Sequence, residues 1–224
     1  MNFNLSFAKE LSIVAEKVAV RYQFSLTSAE IIPRLNLGAQ GLELITAKFK
    51  PLRIDFNAAS LQRRALVGKQ QGLLKACKPR KHLNIIDVTA GLGRDAFILA
   101  GNGADVVMLE RNPVLAALLS DALVRFVAPT PNFGSLKLLY IDGLEYLSSI
   151  EQAPDLIYID PMHPMRKKSA LVKKDMQVLQ NIIGSDLDAK DLLSVAISIG
   201  CERVVMKWPQ NNVALLKPRY SIPG

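Results

Sequence analysis

The sequence predicts an α/β protein built on a doubly wound, mainly parallel sheet, with a small α+β lobe at its N-terminus. Three observations predict it. From residue 83 onward, short and nearly continuous apolar runs alternate with helical patterns. The first of these runs ends in a glycine-rich turn, and the first 56 residues lack the alternation altogether. A chain of 224 residues, half of them hydrophobic, can bury one substantial core and support a small appendage.

Taken in order, a helix is expected over about residues 6–21. A hairpin from GLELITA to PLRIDF follows, turning at Lys48–Pro51. These elements make up the predicted lobe, residues 1–56, and residues 57–224 form the larger domain. A basic helix over 60–76 joins them. LNIIDV (83–88) is the first core strand, and RDAFILAG reads as a helix stopped by Gly101-Asn102-Gly103. ADVVMLE (104–110) is the next strand. NPVLAALLSDALVRFV (112–127) is an amphipathic helix with Pro113 in its first turn. LKLLYI (136–141), DLIYID (155–160) and ERVVMK (202–207) complete the strands. Runs without polar alternation mean strands covered on both faces, hence a parallel sheet between helices.

Composition excludes several classes. Cys77 and Cys201 stand far apart and form no disulfide framework, so a reducing cytoplasm is expected. Together with His82 and His163 they match no metal-binding spacing, and no metal is expected. The N-terminus MNFNLSFAKELS lacks a basic start followed by an apolar run, and no apolar stretch is long enough to span a bilayer. The net charge of +8 is unevenly spread. Residues 57–81 carry seven basic groups and no acid, residues 82–160 carry ten acids against four bases, and residues 161–181 carry five bases against one acid. Two basic blocks flanking an acidic centre suggest a polyanion docking near one site.

The chemistry concentrates at two turns. Asp87-Val-Thr-Ala-Gly91-Leu-Gly93-Arg94-Asp95 follows a strand and opens a helix, as a nucleotide-binding turn does. Glu110 ends the second strand, where an acid can grip ribose hydroxyls. Gly91-Leu-Gly93-Arg94-Asp95-Ala96 also fits the dinucleotide pattern G-x-G-x-x-A. Asp87 and Asp95 argue for S-adenosylmethionine instead, since carboxylates repel a pyrophosphate and attract amino and sulfonium groups. Either aspartate taken alone could simply cap a turn. The second turn is Asp160-Pro161-Met162-His163-Pro164, at the C-terminal end of a strand, where ligands bind in such sheets. It resembles the (D/N)-P-P-(F/Y) motif of methyltransferases that act on exocyclic amines of bases.

The segments DVTAGLGRDAFILA, MLERNPVLAALL and DPMHPMRKKSALVKKDM carry a more specific resemblance. They are similar to the bacterial 16S rRNA (guanine-N2) methyltransferases of the ribosomal RNA small subunit methyltransferase J family, over about residues 51–209. The resemblance implies a class I, Rossmann-like methyltransferase fold and S-adenosylmethionine as cofactor. It implies cofactor contacts at Arg94, Asp95, Glu110, Arg111, Asp142, Gly143 and Asp160, beside the turn residues Asp87, Gly91 and Gly93. Asp160, Pro161 and His163 would face the acceptor base.

The chain departs from the family pattern in three places. His163 stands where the family has Phe or Tyr, and Asp142-Gly143 stands where it often has small hydroxyl residues. The sequence stops at SIPG, so the last strand of the fold is expected to be missing. Phosphate contacts are expected from Arg63, Arg64, Lys69 and Lys75 in the basic helix. Arg166, Lys167, Lys168, Lys173 and Lys174 after the catalytic turn should make others, with both segments bordering one cleft. The expected activity is methylation of a guanine N2 amine in 16S rRNA or the small ribosomal subunit. The rival readings are a methyltransferase for DNA adenine or protein glutamine, an NAD-dependent oxidoreductase, and a non-catalytic RNA-binding assembly factor.

Overall fold

Alternation of buried and half-buried positions fixes the first elements of the chain. The computed structural model describes residues 3–66, 71–162, 188–210 and 212–222. They fall into two compact units. One comprises Met1–Asp55 together with Asn112–Phe126, and the other comprises Phe56–Arg111, Val127–Pro161 and Asp186–Gly224.

In the first unit, strands β1 (Asn4–Phe7), β2 (Ser25–Leu26), β3 (Arg34–Gly38) and β4 (Gly41–Ile45) form a sheet in the order β2-β1-β3-β4. Helix α1 (Ser12–Tyr22) buries Ala15, Ala19 and Tyr22, a stripe at helical spacing. The hairpin differs from the sequence expectation. β3 and β4 pair antiparallel across Gly38 and Gly41, and the stretch read as the second arm contributes a single bridge, Leu44 to Leu52. Leu35, Leu37, Leu42 and Leu44 all point inward, so the period-2 pattern begins at Arg34. Gly41 adopts φ 102°, the backbone state that the tight turn requires. The helix also starts later than expected, because residues 4–7 pair as a parallel strand with β2 and β3. A second helix of this unit, residues Pro113–Arg125, is capped by Asn112 Oδ1, which accepts from the N–H groups of Val114 and Leu115. It is tied down by the Tyr22 hydroxyl, which donates to Ala116 O, and by Arg125, which donates to Ile54 O.

The second unit holds five strands: β5 (Asn84–Asp87), β6 (Asp105–Glu110), β7 (Ser135–Tyr140), β8 (Leu156–Ile159) and β9 (Arg203–Met206). All pair in parallel in the order β7-β6-β5-β8-β9. Counting along the chain, the unit's helices are α2 (Ala59–Leu66), α3 (Gly72–Cys77) and α4 (Arg94–Gly101). Pro113–Arg125 of the first unit is α5, and α6 (Gly143–Ser149) and α7 (Ala189–Ser198) follow. The stretch expected as one basic helix over 60–76 is therefore two helices, α2 and α3, among the described residues. Gly72 opens the second of them.

On one sheet face Ile86, Val88, Leu109, Ile157 and Ile159 pack with Leu147 of α6 and Leu192, Leu193 and Ala196 of α7. The other face receives α4, whose Ala96 to Ala100 are fully buried. Phe97 of that helix stacks on Phe56 at 5.4 Å and meets Phe133 at 5.2 Å. Two covered faces explain why the central strands lack alternation. Among the described residues no helix is long and apolar enough to cross a membrane.

Candidate active site

The C-terminal ends of β5, β6, β8 and β9 converge with the start of α4, and nearly every polar group there is held by a neighbour. Asp87 ends β5 almost fully buried, and its Oδ1 accepts from the Thr89 N–H at 3.1 Å. Gly91 and Gly93 follow at φ 57° and 68°, so the turn needs glycine at both positions. The Gly91 N–H donates to Oε2 of Glu110 at 2.9 Å, which joins the turn to the end of β6. Glu110 is itself buried. The sequence groups these residues into one site, and the structure places them on adjacent strands.

From Asp87 the hydrogen bonds run on to the second turn. Thr89 Oγ1 accepts from the Asp160 N–H at 2.6 Å, fixing the residue that follows β8. Asp95, in the first turn of α4, accepts from the Tyr158 hydroxyl at 2.6 Å and from Lys207 Nζ at 3.1 Å. Lys207 also donates to Asp160 Oδ2 at 2.6 Å. Asp95 therefore does not cap its helix: the N-cap is Gly93, with no side-chain bond.

Asp87 is buried here, and the described residues that bear on its charge are mainly carboxylates. Burial drives its pKa well above the ordinary carboxylate value, against the Thr89 N–H that favours the charged form. Asp95, Asp160 and Glu110 push it further up. Burial likewise raises the Tyr158 hydroxyl, with Asp95 and Asp160 adding to it, so the phenol stays a donor. Such a pocket favours a ligand carrying positive charge and opposes a pyrophosphate.

The remaining expected residues have other partners. Asp142 caps α6, with Oδ1 accepting from Leu144 N at 2.8 Å and Glu145 N at 3.3 Å, and its Oδ2 pairs with Arg111 at 3.3 Å. A Cβ on Gly143 would stand 3.0 Å from Val88 O, so the Asp-Gly pair is explained by a cap and a close approach. Arg111 also grips Asp188, through Nη2 at 3.2 Å to Oδ1, and holds that carboxyl below its usual range. Arg94 lies half-buried at the start of α4, and Pro161 is buried directly after Asp160. His163, Lys69, Arg166, Lys167, Lys168, Lys173 and Lys174 lie outside the described residues.

The described part of the basic stretch stands apart from Asp160, and the second basic segment lies outside the described residues. β5 and β8 are neighbours as expected, yet Ala65 of α2 lies against Gly101 and Asn102 at the far end of α4. Arg203, at the start of β9, donates to Ala76 O and Cys77 O of α3. Arg63, Arg64 and Lys75 are exposed, but they belong to the opposite end of the sheet from Asp160.

Sequence reasoning missed Thr89, Tyr158, Lys207 and Asp188. A signal existed for Lys207, because β8 and β9 are both apolar runs closed by a charged residue, of opposite sign. Among the described residues no group of three or more His, Cys, Asp or Glu could hold a metal ion.

Comparison with known proteins gives this arrangement its context. The family model described as "Putative SAM-dependent methyltransferase" matches residues 17–224. The ribosomal RNA small subunit methyltransferase J of Legionella pneumophila (strain Philadelphia 1) is 51% identical over 185 residues, covering 82% of this chain and 76% of the relative. The protein of that name from Coxiella burnetii (strain RSA 331) is 44% identical over 208 residues, covering 88% and 82%. A crystal structure of a SAM-dependent methyltransferase from Neisseria gonorrhoeae superposes with a TM-score of 0.72 at 24% identity, over 97% of this chain and 90% of that one.

Proposed function

Because the chain belongs to the ribosomal RNA small subunit methyltransferase J family of S-adenosylmethionine-dependent methyltransferases, we propose that it methylates the exocyclic N2 amine of a guanine in 16S rRNA of the small ribosomal subunit. The dinucleotide alternative falls away with the family. The observation that carries the reading is the junction of Asp160 with the glycine turn, through Thr89. It would set an amine-recognising motif beside a cofactor turn.

The site residues fit the cofactor on charge and space. Buried Asp87 and Glu110, with Asp95 and Asp160 close by, suit a sulfonium and an amino group, and the glycines leave the backbone open to a nucleoside. When bound, S-adenosylmethionine supplies an electrophilic methyl group. Asp87, Gly91, Gly93, Glu110 and the first turn of α4, Arg94 and Asp95, would hold it. Arg111, Asp142 and Gly143 would support the pocket wall through the α6 cap.

Asp160 would accept a hydrogen bond from the guanine amine and stabilise positive charge developing on its nitrogen. Pro161 stiffens the turn behind it, and His163 would stack on the base. Holding both reactants in line supplies most of the rate gain, and a stacked guanine must first be turned out to reach the strand ends. Arg166, Lys167, Lys168, Lys173 and Lys174 would contact phosphates near the target. Arg63, Arg64, Lys69 and Lys75 would contact RNA farther away.

Mass spectrometry of 16S rRNA from a deletion strain tests the proposal. Loss of one N2-methylguanine, restored by the gene and by purified protein with S-adenosylmethionine, is the expected result. Methylation of DNA or a protein glutamine instead would redirect the substrate. Tight RNA binding without methyl transfer would mark an assembly factor.

A further inference from the structure

Lys207 follows the last residue of β9, and its backbone N–H donates to Ile159 O at 2.8 Å. That bond extends the β8–β9 ladder by one step and holds Lys207 in register beside Asp160. From there its ammonium reaches Asp160 Oδ2 at 2.6 Å and Asp95 Oδ2 at 3.1 Å. Thr89 thus holds Asp160 at its main chain, and Lys207 holds it at one carboxylate oxygen. Lysine suits the task, being a compact charge with three donors that can serve two carboxylates at once.

We propose that Lys207 is a positioning residue for methyl transfer, keeping the Asp160 carboxylate ionised and clamped at Oδ2 so that it meets the acceptor amine as a fixed hydrogen-bond acceptor rather than as a base. The proposal rests on the role given to Asp160 above. A carboxylate sharing a short charge-assisted bond with an ammonium loses basicity and keeps its capacity to accept. Burial lowers the Lys207 pKa, but Asp160 and Asp95 outweigh it and raise the group above the ordinary lysine value. The ammonium therefore persists across the neutral range. Among the described residues, Asp87 from β5, Tyr158 from β8, Asp95 from α4 and Glu110 from β6 also face this cluster, and all four are acids.

The alternative is a plain clamp between β9 and α4, important to stability alone. Single-turnover methylation of small-subunit rRNA across pH separates the two. Lys207→Met should lower the rate at saturating cofactor on the order of ten- to a hundredfold while leaving the RNA KM near wild type. The acid limb of its rate profile should move to higher pH, because Asp160 protonates more easily once the Lys207 ammonium is gone. Lys207→Arg should restore most of the rate and the limb. Lys207 is 59% exposed, so Lys207→Gln serves as a second uncharged variant should Lys207→Met fold poorly. An unchanged rate, or a lower rate with an unmoved limb and no rescue by arginine, overturns the proposal. Should the wild type transfer no methyl group to rRNA, the functional reading fails and Lys207 is judged by carboxyl NMR. The Asp160 titration should then move to higher pH in Lys207→Met, and an unmoved titration overturns the proposal independently.

Discussion

The backbone N–H of Gly91 donates to the carboxylate of Glu110 at 2.9 Å, so the acid at the end of β6 braces the glycine turn that follows β5. One side chain therefore has two tasks in the proposed site, shaping the turn and contacting the cofactor. Glu110→Ala should weaken S-adenosylhomocysteine binding by about 1–3 kcal/mol, the range for removing a charge-assisted hydrogen bond. Glu110→Gln should lose less, since its carbonyl can still accept from Gly91. Calorimetry giving wild-type affinity in the alanine variant would remove Glu110 from the site.

Asp87 sets function against stability. Its folded pKa is raised, first by burial and then by Asp95, Asp160 and Glu110. A carboxyl of this kind adds most stability below its unfolded pKa, near 3.9, where both states hold the proton. That contribution is lost as pH rises from there through the folded value. Asp87→Asn keeps an acceptor for the Thr89 N–H and removes the buried titratable carboxyl. At neutral pH it should raise Tm and weaken cofactor binding together, and the gain in Tm should shrink as the pH is taken toward 4. A Tm that falls at neutral pH would contradict the sign.

Asp160 is judged by turnover. Asp160→Ala should lose at least about a hundredfold in single-turnover rate, the scale of removing a group that stabilises developing charge. Its circular dichroism and melting curve should stay close to wild type, because the residue is one-third exposed and lies outside the strand. Near wild-type turnover in that variant would rule out the orienting role.

Much of this site is legible in the chain because its parts are local. Asp87 to Asp95 form one continuous turn, and Glu110 and Asp160 end apolar runs, so strand ends and carboxylates coincide in the sequence itself. The partners that cross between elements are invisible for the same reason. Lys207 meets Asp160 only because β9 lies parallel to β8, and Thr89 reaches Asp160 only because β5 does. In the N-terminal lobe the apolar alternation starts one strand earlier than the sequence suggests. Leu35 and Leu37 are the partners of Leu42 and Leu44, while the sequence beyond Ile45 still reads as a strand. Charge alone marks the basic helix, and charge says nothing about which end of a sheet a helix occupies.

Gly134 tests the packing that carries the sheet. A Cβ placed there would stand 1.9 Å from Ala104 O, backbone that has no rotamer to yield. The same glycine donates its N–H to Ala100 O at 2.8 Å, so it cannot move away without losing that bond. Gly134→Ala should destabilise by about 1–3 kcal/mol or more, as overpacking does. Chemical denaturation showing a loss under about 0.5 kcal/mol would mean that the segment before β7 has room to shift.

The two basic segments should act on RNA in separable ways. Ala65 of α2 meets Gly101, whereas Lys207 meets Asp95, so six residues of α4 separate the two contacts. That separation is about 9 Å at 1.5 Å per residue, close to the screening length of about 10 Å at 0.1 M salt. Reversing Arg63 and Arg64 to Glu should therefore raise the RNA dissociation constant with little change in cofactor affinity. The rate at saturating RNA should also hold. For every phosphate no longer neutralised, the slope of log affinity against log salt should flatten by about 0.7 to 0.9. Reversing Lys167 and Lys168, which follow Pro161 by only a few residues, should flatten the slope similarly and also lower the saturating rate, through misplacement of the target base. Binding and salt slope unchanged in the Arg63/Arg64 variant would return α2 to an ordinary solvated face. A fall in its saturating rate equal to that of the Lys167/Lys168 variant would instead mean that both segments grip RNA next to the reacting guanine.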